Sequence, residues 1–119
     1  MRTLPILTAV LLGLAACATI PQQQTIALTE QEARGYAFAK ANCSACHAIT
    51  ANTNARNPET PPFEDIVNTK GLSTRTLGAF LRDSHSFPGA MAFEIDPAKV
   101  DDLTAYMLTL KRADYNPAI

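Results

Sequence analysis

The stretch that decides the fold is Cys43-Ser44-Ala45-Cys46-His47. Its two cysteines are separated by two residues at the end of a predicted helix, so their sulfurs are expected about one helical turn apart. A histidine follows directly and places an imidazole beside the two thiols. We interpret the five residues as one constellation that can hold a single group at three points.

The chemistry that suits these side chains best is covalent attachment of haem. The two cysteines can add to the two vinyl groups of one haem c, and His47 can then bind the iron as its proximal ligand. A thioredoxin-like dithiol would need a βαβ setting, and a plain disulfide is a further alternative. Structural zinc would need four well-placed ligands, whereas the chain offers only Cys43, Cys46, His47 and the distant His85.

A helix is predicted just before this motif. Thr29-Glu30-Gln31-Glu32 has the pattern of a capping box, which predicts a helix running to about Asn42. Gly35 lies inside it and suggests that another element approaches the backbone there. Helical spacing predicts a packing face formed by Ala33, Tyr36, Ala37 and Lys40 or Ala41.

Three further helices are predicted downstream, and no strand pattern competes, so the fold class is all-α. The first is Phe63 to Asn68, after a loop that spans Thr50 to Pro62. Ser73 can cap the second, with apolar positions at Leu77, Phe80 and Leu81. The last begins with Asp96 as its N-cap and Pro97 at its first position, and its apolar stripe is Val100, Leu103, Tyr106 or Met107, and Leu110.

The second face of the iron needs its own ligand in a one-haem electron carrier, and methionine sulfur is the usual one. Met91 lies in an irregular stretch between Pro88-Gly89 and Asp96, where a loop can fold over a flat cofactor. Met107 lies inside the last amphipathic helix, where methionine usually fills the core. We therefore expect Met91 as the sixth ligand, with His85 as the alternative.

Four features follow one another along the chain: Gly35, the Cys-Ser-Ala-Cys-His motif, Met91 and the segment Leu103-Thr104-Ala105-Tyr106. This order resembles that of the small class I c-type cytochromes, over roughly Thr29 to Arg112. The resemblance implies a small helical domain wrapped around one covalent haem, with its first and last helices crossing near Gly35 and Tyr106. It also implies that a proline carbonyl, of Pro61 or Pro62, accepts the N–H of the proximal histidine. The family usually has a proline after its ligand methionine, whereas Ala92 follows Met91 here.

The N-terminus is typical of an export signal. Arg2 precedes an apolar stretch from Leu4 to Leu14, and Leu14-Ala15-Ala16-Cys17 resembles the lipobox of bacterial lipoproteins, which implies lipidation of Cys17. We expect a signal peptide at 1–16, a tether at 17–28, a cytochrome c domain at 29–114 and a C-terminal tail at 115–119. The expected location is the periplasm, lipid-anchored to a bacterial membrane. Ordinary signal cleavage, giving a soluble periplasmic protein, and a buried N-terminal helix are the alternatives.

The charge pattern excludes one class of partner. The formal net charge is −1 and no basic run occurs, so nucleic acid is not expected as a partner. The adjacent acids Glu64-Asp65 and Asp101-Asp102 do not converge on one point of a helix face, so we expect them to be solvated and not catalytic.

The function that follows is one-electron transfer between periplasmic or membrane-bound redox partners, such as a dehydrogenase, an oxidase or another cytochrome. We expect a carrier, not an enzyme, with no small-molecule substrate. Two alternatives stay open: a five-coordinate haem c protein that binds gas or peroxide as a sensor, and a haem subunit of a larger dehydrogenase or oxidase.

Overall fold

Four helices form the folded part of the chain in this computed structural model, which describes residues 27–83 and 93–116. They are α1 (Glu30–Asn42), α2 (Phe63–Asn68), α3 (Thr74–Asp83) and α4 (Pro97–Leu108). These two ranges contain no strand, as the all-α prediction requires. No helix within them has the length and apolar character needed to cross a membrane. The expected signal peptide, Cys17, His85 and Met91 lie outside the described residues.

The predicted capping residues start three of these helices. At α1 the Thr29 hydroxyl accepts the Glu32 N–H at 3.3 Å, and the Glu32 carboxylate accepts the Thr29 N–H at 2.7 Å. Asp96 caps α4 by accepting the Ala98 N–H at 2.8 Å. The hydroxyl of Ser73 accepts a backbone N–H in the first turn of α3 at 3.3 Å. Side-chain caps satisfy amides that have no partner within the helix, so these boundaries follow from local chemistry.

Helix α1 crosses α4 at Gly35. A Cβ atom at this position would lie 2.7 Å from the Cβ of Tyr106 and closer still to the backbone carbonyl of Asp102. The rings of Tyr36 and Tyr106 meet edge to face beside the crossing, with their centroids 5.2 Å apart. The two backbones can approach this closely only because residue 35 has no side chain, which confirms the predicted crossing.

The buried face of α1 differs from the predicted one. Gly35 and Ala39 are buried and Cys43 continues the same line, with Tyr36 and Phe38 partly buried against the core. The predicted positions that are exposed instead are Ala33, Ala37, Lys40 and Ala41. The prediction was wrong for these positions because the close contact with α4 is centred on Gly35, which rotates the buried face away from Ala33, Ala37 and Ala41.

Helix α4 lies at the centre of the core. Its buried apolar residues are Val100, Leu103, Tyr106 and Met107. Met107 is completely buried, in keeping with its expected role as core filling. On α3, Leu77 and Leu81 are buried as predicted, whereas Phe80 is 51% exposed. The connection from α2 to α3 turns at Gly71, whose φ of 84° suits glycine.

Candidate functional site

The predicted motif forms one compact turn at the end of α1. Cys43 is the C-cap of the helix, and its carbonyl accepts the N–H groups of Cys46 at 3.1 Å and His47 at 2.9 Å. The chain therefore continues for one further helix-like turn after α1 ends. This turn carries Cys43, Cys46 and His47 in succession.

The two cysteines of the turn have different surroundings. Both thiols are free, with Cys43 buried and Cys46 exposed. Burial, with a smaller contribution from the neighbouring Cys46, raises the pKa of the Cys43 thiol to about 11. The environment thus distinguishes a protected sulfur at Cys43 from an accessible one at Cys46.

The ring of His47 is oriented by a backbone carbonyl. Its Nδ1 atom lies 2.8 Å from the carbonyl oxygen of Pro61, and the ring of Phe63 packs nearby with a centroid separation of 5.5 Å. Because a carbonyl oxygen can only accept, Nδ1 donates this hydrogen bond, and in the neutral ring the lone pair is then on Nε2. Of the two prolines that the sequence left open, the structure therefore selects Pro61 and not Pro62.

The loop between residues 50 and 62 is fastened to the motif on both sides. The Thr60 hydroxyl donates to the Cys46 carbonyl at 2.6 Å, and the Asn57 N–H donates to the same oxygen at 3.3 Å. Immediately after the loop, the Phe63 N–H donates to the Ala48 carbonyl at 2.9 Å. These contacts fix the Pro61 carbonyl relative to the turn that carries His47.

Tyr106 connects the central helix to the segment that follows the motif. Its hydroxyl donates to the Ile49 carbonyl at 2.6 Å in a buried hydrogen bond. Burial, with a smaller contribution from Tyr36, raises the pKa of Tyr106 to about 12, so the hydroxyl keeps its proton at neutral pH. The sequence predicted Tyr106 at the helix crossing but gave no sign of this bond, which joins residues 57 positions apart.

The expectation that the adjacent acids are solvated was wrong for Glu64. This residue is 5% exposed, and its Oε2 accepts the Asn52 N–H at 2.8 Å. Its Oε1 lies 3.4 Å from Nη1 of Arg112, which forms an ion pair. Both partners are far away in sequence, so spacing within α2 could not reveal them.

The expectation was also wrong for Asp102, which is 7% exposed. Nε and Nη2 of Arg34 each donate to its carboxylate at 2.9 Å, in a bidentate pair between α1 and α4. These hydrogen bonds are the main cause that lowers the pKa of Asp102. Its neighbour Asp101 is exposed, as expected, and forms an open ion pair with Arg82 at 3.4 Å.

The donor set of the turn fits covalent haem attachment. Two free thiols are available for thioether bonds, and one imidazole has its Nε2 lone pair available for iron while Nδ1–H is already engaged. Within residues 27–83 and 93–116, no cluster of three or more His, Cys, Asp or Glu side chains is arranged to hold a metal ion.

Comparison with known families gives one match. Residues 32–111, well over half of the chain, match the family model described as Cytochrome c. Members of this family bind haem c covalently and generally act as electron carriers. No curated protein and no solved structure matched the chain. The matched range contains the motif turn and all of α2, α3 and α4.

Proposed function

The chain belongs to the cytochrome c family, and from this premise we propose that it is a one-electron carrier with a single haem c. Cys43 and Cys46 form the two thioether bonds, and His47 binds the iron through Nε2. The haem supplies the change between ferric and ferrous iron. The turn after α1 holds the attachment points, and the loop of residues 50–62 fixes the orientation of the imidazole.

The observation that carries this proposal is the contact between Nδ1 of His47 and the Pro61 carbonyl at 2.8 Å. A histidine that binds a metal commonly donates its other ring N–H to a carbonyl, which fixes the tautomer and raises the basicity of the ligating nitrogen. Here the same ring follows two thiols within one turn. The combination supports iron binding by His47 more strongly than the five-residue pattern does by itself.

Covalent attachment is tested by staining for haem after denaturing electrophoresis. The exported wild-type protein should retain haem, and the double variant Cys43→Ala/Cys46→Ala should lose it. Cys17→Ala is the matched control, because it removes the third cysteine of the chain and should leave the stain unchanged. A wild-type protein that releases all its haem on denaturation would refute the proposal.

We further propose Met91 as the sixth ligand, with His85 as the alternative. The burial of Met107 in the core supports this choice, since its sulfur already packs among apolar side chains. Visible spectra of oxidised and reduced protein, with and without carbon monoxide, provide the test. Met91→Ala should bind carbon monoxide promptly, whereas wild type, His85→Ala and Met107→Leu should not. Prompt binding by the wild type would favour the five-coordinate gas or peroxide binder instead.

For the location we propose export and a lipid anchor on Cys17, supported by the lipobox-like Leu14-Ala15-Ala16-Cys17. Intact mass after membrane extraction distinguishes the possibilities. Haem together with lipid on a chain that starts at Cys17 would support the anchor. Haem without lipid on a chain that starts at Thr19 would indicate ordinary cleavage and a soluble periplasmic protein.

The proposed partners are redox proteins such as a dehydrogenase, an oxidase or another cytochrome. A free carrier and a subunit of a larger complex differ in how they purify. Gentle solubilisation of the membrane followed by size separation should release a carrier as a single small species. Stoichiometric recovery with a larger redox protein would show that the chain is a haem subunit.

A further inference from the structure

A buried carboxylate lies behind the loop that orients His47. Glu64 is the second residue of α2, and its side chain is 7% exposed. Its Oε2 accepts the backbone N–H of Asn52 at 2.8 Å, across 12 positions of sequence. Asn52 has a φ of 55°, a left-handed conformation that directs the chain into the loop. Glu64 thus joins the start of the loop to the helix that follows it.

The segment closed in this way carries the partner of the imidazole. Pro61 accepts the Nδ1–H of His47 at 2.8 Å, and its neighbour Thr60 donates to the Cys46 carbonyl at 2.6 Å. At the other end of the same segment, Asn52 has the contact with Glu64 described above. Asn57 and Thr60 hold the Pro61 end of this closed loop, and Glu64 holds its other end. Release of Asn52 removes one of the two attachments, so the hydrogen bond at Pro61 is expected to lengthen.

Arg112 covers this carboxylate from the segment after α4. Its Nη1 lies 3.4 Å from Glu64 Oε1 and 3.4 Å from the Asn52 side-chain oxygen. Oε1 has no hydrogen bond, so the guanidinium offsets the charge while Oε2 forms the contact that acts on the loop. Oε1 therefore pairs with the positive charge of Arg112, whereas Oε2 closes the loop. A substitution can change one of these contacts and keep the other.

We propose that Glu64 is a positioning residue that holds the Pro61 carbonyl on Nδ1 of His47 and thereby lowers the midpoint potential of the bound haem. This inference rests on the proposed function, in which His47 binds the iron. A hydrogen bond from Nδ1–H to a carbonyl makes the imidazole a more basic ligand. A more basic ligand stabilises ferric iron relative to ferrous iron, so weakening this bond raises the potential.

Two conservative variants separate the contact from the charge. Glu64→Gln removes the charge but keeps a side-chain oxygen within reach of the Asn52 N–H. Glu64→Asp keeps the charge but is one methylene shorter, which withdraws its oxygens from that N–H. We expect the midpoint potential of haem-loaded Glu64→Asp to shift to more positive values, whereas that of Glu64→Gln stays near wild type.

The potential is measured by redox titration of the visible spectrum, with thermal unfolding of the same samples alongside. A shift in Glu64→Gln that equals or exceeds the shift in Glu64→Asp would show that the charge acts, and would overturn the inference. Unchanged potentials with lowered unfolding temperatures would show a purely structural role and would also overturn it. Haem staining of denatured wild type distinguishes failure of the proposed function from failure of the inference about Glu64. A negative stain would refute the proposed function itself. A positive stain with either of the two contrary results above would refute only the role of Glu64.

Discussion

The buried hydroxyl of Tyr106 has two consequences at the scale of a single residue. It satisfies the Ile49 carbonyl at 2.6 Å, and it anchors the segment after His47 to the central helix. A buried polar group that loses its hydrogen-bond partner still bears the full free-energy cost of being removed from water. The hydroxyl therefore stabilises the fold and fixes the segment adjoining the motif at the same time.

We predict that Tyr106→Phe lowers the free energy of unfolding by about 1–3 kcal/mol, because the Ile49 carbonyl then stays buried without a donor. The ring and its edge contact with Tyr36 are retained, so the helix crossing should survive. Chemical denaturation followed by circular dichroism measures the change. Tyr36→Phe is the control, since its ring contact is kept. An equal loss in both variants would contradict the role given to the Tyr106 hydroxyl.

The pair between Asp102 and Arg34 gives a prediction about pH. Its hydrogen bonds lower the pKa of Asp102 below the ordinary value of 3.8, so the stabilisation is present above that value and is lost as pH falls through the lower folded pKa. Asp102→Asn should therefore unfold at a lower temperature than wild type at pH 7. The gap should close in strong acid, below the folded pKa.

Thermal unfolding of both proteins between pH 7 and pH 2 measures this gap. Asp101→Asn is the matched control on the same helix turn, because its pair with Arg82 is solvent-exposed and such pairs contribute little. A gap of constant size across the whole pH range would show that the Asp102 charge does not contribute.

At the scale of elements, the contact between α1 and α4 depends on one missing side chain. Alanine is the better helix former by about 1 kcal/mol, yet a Cβ at residue 35 would overlap the backbone of Asp102 and the Cβ of Tyr106. Backbone atoms cannot rotate away as a flexible side chain can. Gly35→Ala should therefore cost at least about 2 kcal/mol of stability, in the range of overpacked cores.

Gly78 in α3 offers the matched control for this change. A Cβ there would lie 3.5 Å from Nη1 of Arg82 and 3.8 Å from the Thr104 hydroxyl, which are ordinary contacts. Gly78→Ala should thus leave stability unchanged or raise it by up to about 1 kcal/mol through helix propensity. Urea denaturation of both variants measures the change in the free energy of unfolding. Equal changes at the two glycines would mean that the crossing tolerates a side chain at residue 35.

The elements that the sequence predicted well are those set by local chemistry. Thr29, Ser73 and Asp96 cap helices within one turn of themselves, and the Cys43 to His47 turn is equally local. The features that were predicted wrongly or missed depend on distant partners. Glu64 was expected to be solvated because Arg112, 48 positions away by residue number, cannot be recognised from spacing within α2.

At the scale of the whole molecule, the core formed by residues 27–83 and 93–116 is small. The buried apolar residues of the described ranges include two alanines and Cys43 itself, and the large side chains come mainly from α3 and α4. Domains of about 100 residues are marginally stable, and a group that binds only the folded state adds to their stability. We therefore expect covalent haem to contribute to the fold as well as to electron transfer.

We predict that the exported double variant Cys43→Ser/Cys46→Ser, which lacks thioether bonds, has a lower unfolding temperature than the haem-loaded wild type. A loss of about 2 kcal/mol would lower the midpoint by about 10 °C in a domain of this size. Circular dichroism at increasing temperature measures it. Cys17→Ser separates haem from any effect of the anchor, and should unfold like the wild type. Equal midpoints for the double variant and the wild type would show that α1, α3 and α4 stabilise the domain without help from the cofactor.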